Sequence, residues 1–368
     1  MANIITYIRK FQFSFEEKPL NDLDALVFSW LTYMYYPQDV VKRLNKEKIK
    51  IKDLFPEENL TLATKGIFGE KESIDFLKAL VISNRFKEVE AFKFINKIVK
   101  SKEEQFGAIT FFYKKKFIFV GLRGTDTSLT GWKEDFNLSY IYPVPSQSAA
   151  LRYLESIAKA FKGKIYVGGH SKGGNLAAYA VVCAKEKTRK RIKKIYSFDG
   201  PGFLDEYYNS NKFKKSKHKI RKFVPYFCVF GIIMDYVKDI KIIKSNGFLI
   251  FQHNALYWLV DIKNTSFVFI DKIDKNALAF NKGIKQIFKE CNREERHMFV
   301  DDLFNILNKA EIEDPNDLIL KLPQIILEAH KLTGRHKEVF TEIFSFFIKP
   351  IFSFNEAKKD HDLINNKA

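Results

Sequence analysis

The stretch that decides the fold is KIYVGGHSKGGNLAAYAVVCA, Lys164 to Ala184. Within it, Gly169-His170-Ser171-Lys172-Gly173 spells G-x-S-x-G. The β-rich run Ile165-Tyr166-Val167 precedes the motif, and the helix-forming run Asn175 to Ala184 follows it. A serine between a strand and a helix sits on a sharp, strained turn that presents its hydroxyl above a sheet. Glycines at 169 and 173 remove the Cβ atoms that would obstruct such a turn. The helix start aims free N–H groups at the site, where negative charge would be stabilised. These features make Ser171 a candidate nucleophile and the Lys172 backbone N–H a candidate oxyanion donor. A plain glycine-rich turn with an ordinary serine is the competing account, but strand, turn and helix signals agree against it. The turn splays adjacent side chains apart, so His170 reads as packing rather than as a base.

Outward from this point, strands and helices alternate. QFGAITFFYKKKFIFVGLRG reads as two strands, about 107–113 and 116–122, joined by a lysine turn. A helix is expected over 146–161 and another over 173–187. Short strands are expected at Lys164–Gly168, Lys194–Phe198, Ile220–Val224, Leu256–Ile262 and Ser266–Ile270. The pattern predicts an α/β fold with an α/β-hydrolase core, a mostly parallel sheet flanked by helices. Residues 1–105 read as a mainly helical N-terminal part packed on the core. Asn21 or Asp22 caps a helix there that Pro37 ends, and 73–99 carries a second helical pattern broken near Ser83-Asn84. The core is expected over 106–275. Residues 276–368 read as a helical C-terminal extension with a frayed tail.

Composition narrows the classes further. The chain has 368 residues, long enough for one large domain or one with an appendage. Apolar residues are 46%, enough for a sizeable core and too many for a disordered chain. Lys and Arg number 62 against 44 Asp and Glu, a net charge of +18. That permits contact with an anionic membrane surface. The lysines are spread, with no arginine-rich arm, zinc-finger spacing or RNA-binding aromatic motif, so no nucleic-acid partner is expected. Three scattered cysteines, Cys183, Cys228 and Cys291, imply neither a disulfide framework nor a metal site and fit a cytoplasmic protein. The start of the chain lacks a signal-peptide h-region. The longest uncharged apolar run, Phe223 to Met234, is too short to span a bilayer.

Upstream of the serine, Leu122-Arg123-Gly124-Thr125 ends a strand, with Trp132 and Asp135 following. Over roughly residues 107 to 260 the chain resembles the class 3 lipases, whose pattern is a strand, F-R-G-[TS], then a Trp and an Asp. Leu122 stands where that group usually has Phe. The whole chain also resembles a group of bacterial lipase-like α/β hydrolases with this G-H-S-K-G-G-N elbow. The class 3 resemblance implies that Thr125 supplies a backbone N–H and a hydroxyl to an oxyanion hole.

In this fold the partners follow in the order serine, acid, histidine. His218 lies in a basic exposed stretch, and His297, His330, His336 and His361 lie in the helical tail. His253, in SNGFLIFQHNALYW, is the candidate base. Class 3 lipases place the acid after the strand that here reads Ile220–Val224, but Pro225-Tyr226-Phe227 follows with no carboxylate. One strand earlier, Asp199-Gly200-Pro201 resembles the acid context of pancreatic-type lipases, so Asp199 is first choice and Asp235 second. Asp199 capping its own turn is the structural alternative. The triad needs no metal or organic cofactor. The predicted function is a serine esterase or lipase-like hydrolase of small-molecule or lipid acyl esters. A catalytically inactive, membrane-associated or binding version of the fold is the alternative. Two apolar segments, Pro225–Tyr236 and 343–354, are candidates for an acyl site or lid, with ordinary core as the alternative reading.

Overall fold

The computed structural model describes residues 2–67, 69–234, 239–312, 315–318 and 320–345. In chain order its strands are Ile49–Lys50 (β1), Glu90–Val99 (β2), Glu104–Tyr113 (β3), Phe117–Leu122 (β4), Ile165–His170 (β5), Ile192–Phe198 (β6), Ile220–Pro225 (β7) and Ile240–Ile243 (β8). Three short ones follow, Val260–Asp261 (β9), Ser266–Phe267 (β10) and Phe269–Ile270 (β11). Among the described residues one sheet runs in the order β1-β2-β3-β4-β5-β6-β7-β8-β11, while β9 and β10 pair apart from it. β4 to β8 are parallel, β1 to β4 are joined antiparallel, and β11 runs antiparallel to β8. The fold is thus mixed α/β, with a large, mostly parallel sheet centre.

Side chains alternate across a strand, and the strands use that period to build two cores. On one face, Phe111, Phe119, Tyr196, Phe198 and Phe223 pack against the N-terminal helices, including the helix Asp22–Trp30. On the other, Ile118, Val120, Val167 and Ile195 pack against the helices Pro145–Ala160 and Lys172–Cys183. Sheets covered on both faces read as nearly continuous apolar runs, which is how Phe117 to Leu122 looks in sequence. Because β4 to β7 are parallel, their carboxyl ends share one edge. The residues just past Leu122, His170, Phe198 and Pro225 therefore converge.

The helix Asp22–Trp30 is tied down at its start. Asn21 caps it, and Asp24 accepts from the Asn21 N–H at 2.8 Å. Arg85, fully buried, makes two bonds to Asp24 at 2.7 and 2.6 Å and donates to the Phe13 and Lys18 carbonyls. An unpaired charge there would cost several kcal/mol, so Arg85 and Asp24 are interdependent. The helix then runs into a 3-10 turn, Leu31–Tyr33, which carries Tyr33 to the site edge.

Two expectations are corrected, and one strand, β8, lies outside them. The helical pattern over 73–99 holds only for Glu70–Ile82; the remainder supplies the ten-residue strand β2. A register shift between Phe92 and Ile95, with Lys93 at φ 57°, breaks the alternation that would have revealed it. The strand expected over Leu256–Ile262 begins instead as a 3-10 turn, Ala255–Tyr257, and shortens to β9. β8 went unread because its IKII run is short and lies in a lysine-rich stretch.

By internal contacts the chain divides into residues 1–274 and 275–368. The N-terminal helices therefore belong with the sheet. The second unit contains the helices Lys275–Glu290, Arg293–Lys309 and Leu322–His330, and a further helix over 334–345. Asn292 and Glu295 form a reciprocal cap at the second of these. Most of the phenylalanine-rich segment 343–354, and the tail beyond it, lie outside the described residues.

Candidate active site

Ser171 sits directly after β5 with φ 55° and ψ −134°, a left-handed conformation that costs energy for any residue with a Cβ. The surroundings force it. The Ser171 N–H donates to the Phe198 carbonyl at 2.8 Å, and its own carbonyl accepts from Gly174 N–H at 2.8 Å. A Cβ at 169 or 173 would collide with the Leu122 carbonyl, which is why both positions need glycine. Lys172 opens the helix Lys172–Cys183, so its backbone N–H has no intrahelical acceptor.

The loop after β4 approaches the serine closely. A Cβ on Gly124 would lie 2.6 Å from the His170 carbonyl and 3.1 Å from Ser171 Cβ. Thr125 is the next residue, and its hydroxyl donates to Asp135 on the helix Leu129–Asn137. Burial pushes the Asp135 carboxyl up to about 6, partly opposed by Lys172 and by the Thr125 bond. The side chain as a whole is partly exposed, yet its Oδ1 is sealed from solvent without a hydrogen bond.

The sequence points to Lys172 for its backbone N–H alone, yet its side chain is also engaged. It is buried at 1% exposure, with Nζ 3.0 Å from Glu134 Oε2 and 3.3 Å from the Gln105 carbonyl. Glu134 in turn accepts from the N–H groups of Gln105 at 3.0 Å and Ser146 at 2.7 Å. This ion pair clamps the start of the helix after Ser171 to the helix Leu129–Asn137, which follows the Thr125 loop. No local pattern pairs residues 134 and 172, and only the parallel packing of β4 and β5 brings them together.

The acid and base candidates meet. His253 Nδ1 lies 2.6 Å from Asp199 Oδ2. A carboxylate only accepts, so Nδ1 carries the proton of this pair. Asp199 follows β6, is 1% exposed and has φ 49°, a second strained residue at this edge. Burial alone would raise its pKa. The hydrogen bond and charge of His253, with a bond from Cys228, outweigh burial and hold the carboxyl below its ordinary range. His253 ends a 3-10 turn, Leu249–His253, and the Phe230 ring lies 4.6 Å from its imidazole. Asp235, the other acid candidate, lies outside the described residues.

His170 does more than fill space. Its Nε2 bonds the His253 carbonyl at 2.8 Å, and Nδ1 takes the Tyr33 hydroxyl at 3.0 Å. Burial, then the nearby His253, pull its pKa down to about 3, so it is a neutral prop under the His253 loop. Tyr33 and Cys228 were both missed in sequence, since their partners are distant along the chain.

The model of the Mbeg1-like family matches residues 80–305, more than half of the sequence. The chain belongs to the Mbeg1-like family. This is a lipase-like family, and its match spans β4, the Ser171 turn, Asp199 and His253. No curated protein matches the chain. Among solved structures, the crystal structure of M37 lipase is similar at 16% identity, covering 58% of this chain and 69% of that one, with a TM-score of 0.34. Among the described residues no cluster of His, Cys, Asp or Glu could hold a metal ion, and no helix is long and apolar enough to cross a membrane.

Proposed function

We propose that the protein is a serine hydrolase of the α/β-hydrolase type that cleaves carboxylic or lipid acyl esters. The observation that carries this reading is the 2.6 Å contact of His253 Nδ1 with buried Asp199, just past the strand next to the one that leads into Ser171 in its strained turn. In this reading Ser171 Oγ attacks the acyl carbonyl while His253 Nε2 takes its proton. The Lys172 N–H and Thr125 hold the oxyanion. Collapse breaks the ester C–O bond, and His253 returns the proton to the leaving alcohol. Water, deprotonated by His253, then releases the acid and restores Ser171. Asp199 holds the His253 tautomer and stabilises the imidazolium throughout.

An apolar acyl group suits the surroundings. Phe248, Ile250 and Phe251, on the approach to His253, are half or more exposed, and Tyr226 follows β7. Together with the net charge of +18, they support peripheral contact with an anionic lipid surface, at the cytoplasmic side that three unpaired thiols fit. Labelling with a fluorophosphonate probe tests the core of the proposal. Native protein should label and Ser171→Ala should not; equal labelling of both, or none of either, overturns it. An ester panel of increasing acyl length then tests the substrate class, with longer chains preferred.

A further inference from the structure

The acid side of the site holds a thiol to which none of the roles above gives a part. Asp199 Oδ2 faces His253, and its other oxygen, Oδ1, lies 2.9 Å from Cys228 Sγ and 3.1 Å from the Gly231 N–H. Both donors come from the loop after β7. That is the loop on which the class 3 resemblance would place the acid, and in this chain it carries no carboxylate over Pro225-Tyr226-Phe227. It contributes donors to an acid that stands one strand earlier.

We propose that Cys228 is a positioning residue for the triad, its thiol holding Asp199 Oδ1 so that Oδ2 stays directed at His253. The proposal rests on the reading of Asp199 as the acid. The loop is anchored well enough to serve. Gly202 and Phe203 N–H groups donate to the Ile233 and Met234 carbonyls at 2.8 and 3.1 Å. The Phe227 N–H donates to Gln252 Oε1 at 3.0 Å, one residue before His253. Gly231 has no room for a Cβ, which would collide with Asp199 Oδ1 and lie 3.0 Å from Cys228 Sγ. Cys228 itself is fully buried and packs with Val224 and Ile232. Burial first, then the Asp199 charge, push its thiol well above the ordinary range, so it stays an S–H donor.

A thiol is a weak donor, and its weakness sets the direction of the effect. Removing it leaves Oδ1 with the Gly231 N–H alone, so the carboxylate becomes a stronger partner for the His253 imidazolium. A hydroxyl in its place donates more strongly and does the reverse. The test is the pH–rate profile of acyl-ester hydrolysis by the full chain and by Cys228→Ala and Cys228→Ser. Cys228→Ala should lower kcat by about threefold to tenfold with KM unchanged, and move the acid limb to higher pH. Cys228→Ser should retain most of kcat and move that limb to lower pH. A merely space-filling cysteine would leave both limbs in place, and that result overturns the proposal. Should Cys228→Ala fail to fold, the direction of the Cys228→Ser shift decides alone. If Asp199→Asn keeps full turnover, the acid reading itself fails, and absence of fluorophosphonate labelling in native protein removes the hydrolase reading.

Discussion

The proposed nucleophile side and the proposed acid–base side of this candidate site are built in opposite ways. Ser171, its two glycines, the strand before it and the helix after it lie within twenty-one consecutive residues. The motif is contiguous, although Leu122 and Phe198 on the neighbouring strands complete the turn. Asp199 and His253 are 54 residues apart and come from different loops. Each is held by residues from other parts of the chain: His170 supports the His253 carbonyl, and Cys228 and Gly231 support Asp199. A contiguous motif tolerates change around it as long as the turn survives. An assembled pair depends on every loop that reaches it.

The sharpest way to break the comparison is at its shared chemistry. Ser171→Ala should abolish acyl-ester turnover, by roughly 10⁵-fold or more in kcat, without loss of the folded far-ultraviolet circular dichroism signal. Asp199→Asn should follow with a loss of roughly 10⁴-fold, because an amide no longer selects the productive tautomer of His253. If the amide variant were as active as wild type, the acid–base side would not work as the His253–Asp199 contact implies.

The clamp under the elbow gives a stability effect of intermediate size. Glu134→Ala leaves the buried Lys172 ammonium without its nearest carboxylate, with only Asp135 at 3.7 Å, and should cost about 3 kcal/mol in urea unfolding. Adding Lys172→Met should restore most of it, since the apolar side chain no longer needs the carboxylate. A single variant as stable as wild type would show that the buried pair contributes nothing to holding the Thr125 loop against the helix.

The remaining expected effects concern the props of the acid–base side and are read from pH dependence. His170 has its folded pKa lowered to about 3, so the folded chain refuses a proton that the unfolded chain binds below about 6.5. Its contribution is fully present above that pH and is lost as pH falls toward 3, at up to roughly 1.4 kcal/mol per unit. His170→Gln should therefore flatten the slope of unfolding free energy between pH 6 and 4 relative to wild type. An unchanged slope would mean that His170 titrates normally. The Cys228 substitutions sharpen the same contrast in kinetics rather than stability.

The sequence reading was strongest where the determinants are local. The Ser171 turn is legible because glycine placement is a steric requirement within five residues. The strand Phe117–Leu122 is legible because two-sided burial makes a continuous apolar run. β2 was misread as helix because a bulge at Lys93 scrambles its period and an exposed outer half removes its apolar signal. Tyr33 and Glu134 were invisible as site residues because nothing near them in sequence marks their partners. Cys228 counted only as an unpaired thiol.

By itself, then, the sequence determined a mixed α/β chain, a strained serine turn and a short set of candidate partners, since each of these is written in neighbouring residue types. Only the tertiary structure decided which candidates meet. The parallel order of β4 to β8 brings the loops after these strands to one edge, setting Asp199 against His253 and Cys228, and Glu134 against Lys172. Such contacts depend on which strands become neighbours. That is settled by burying two apolar faces at once, a balance over the whole sheet that no single segment records.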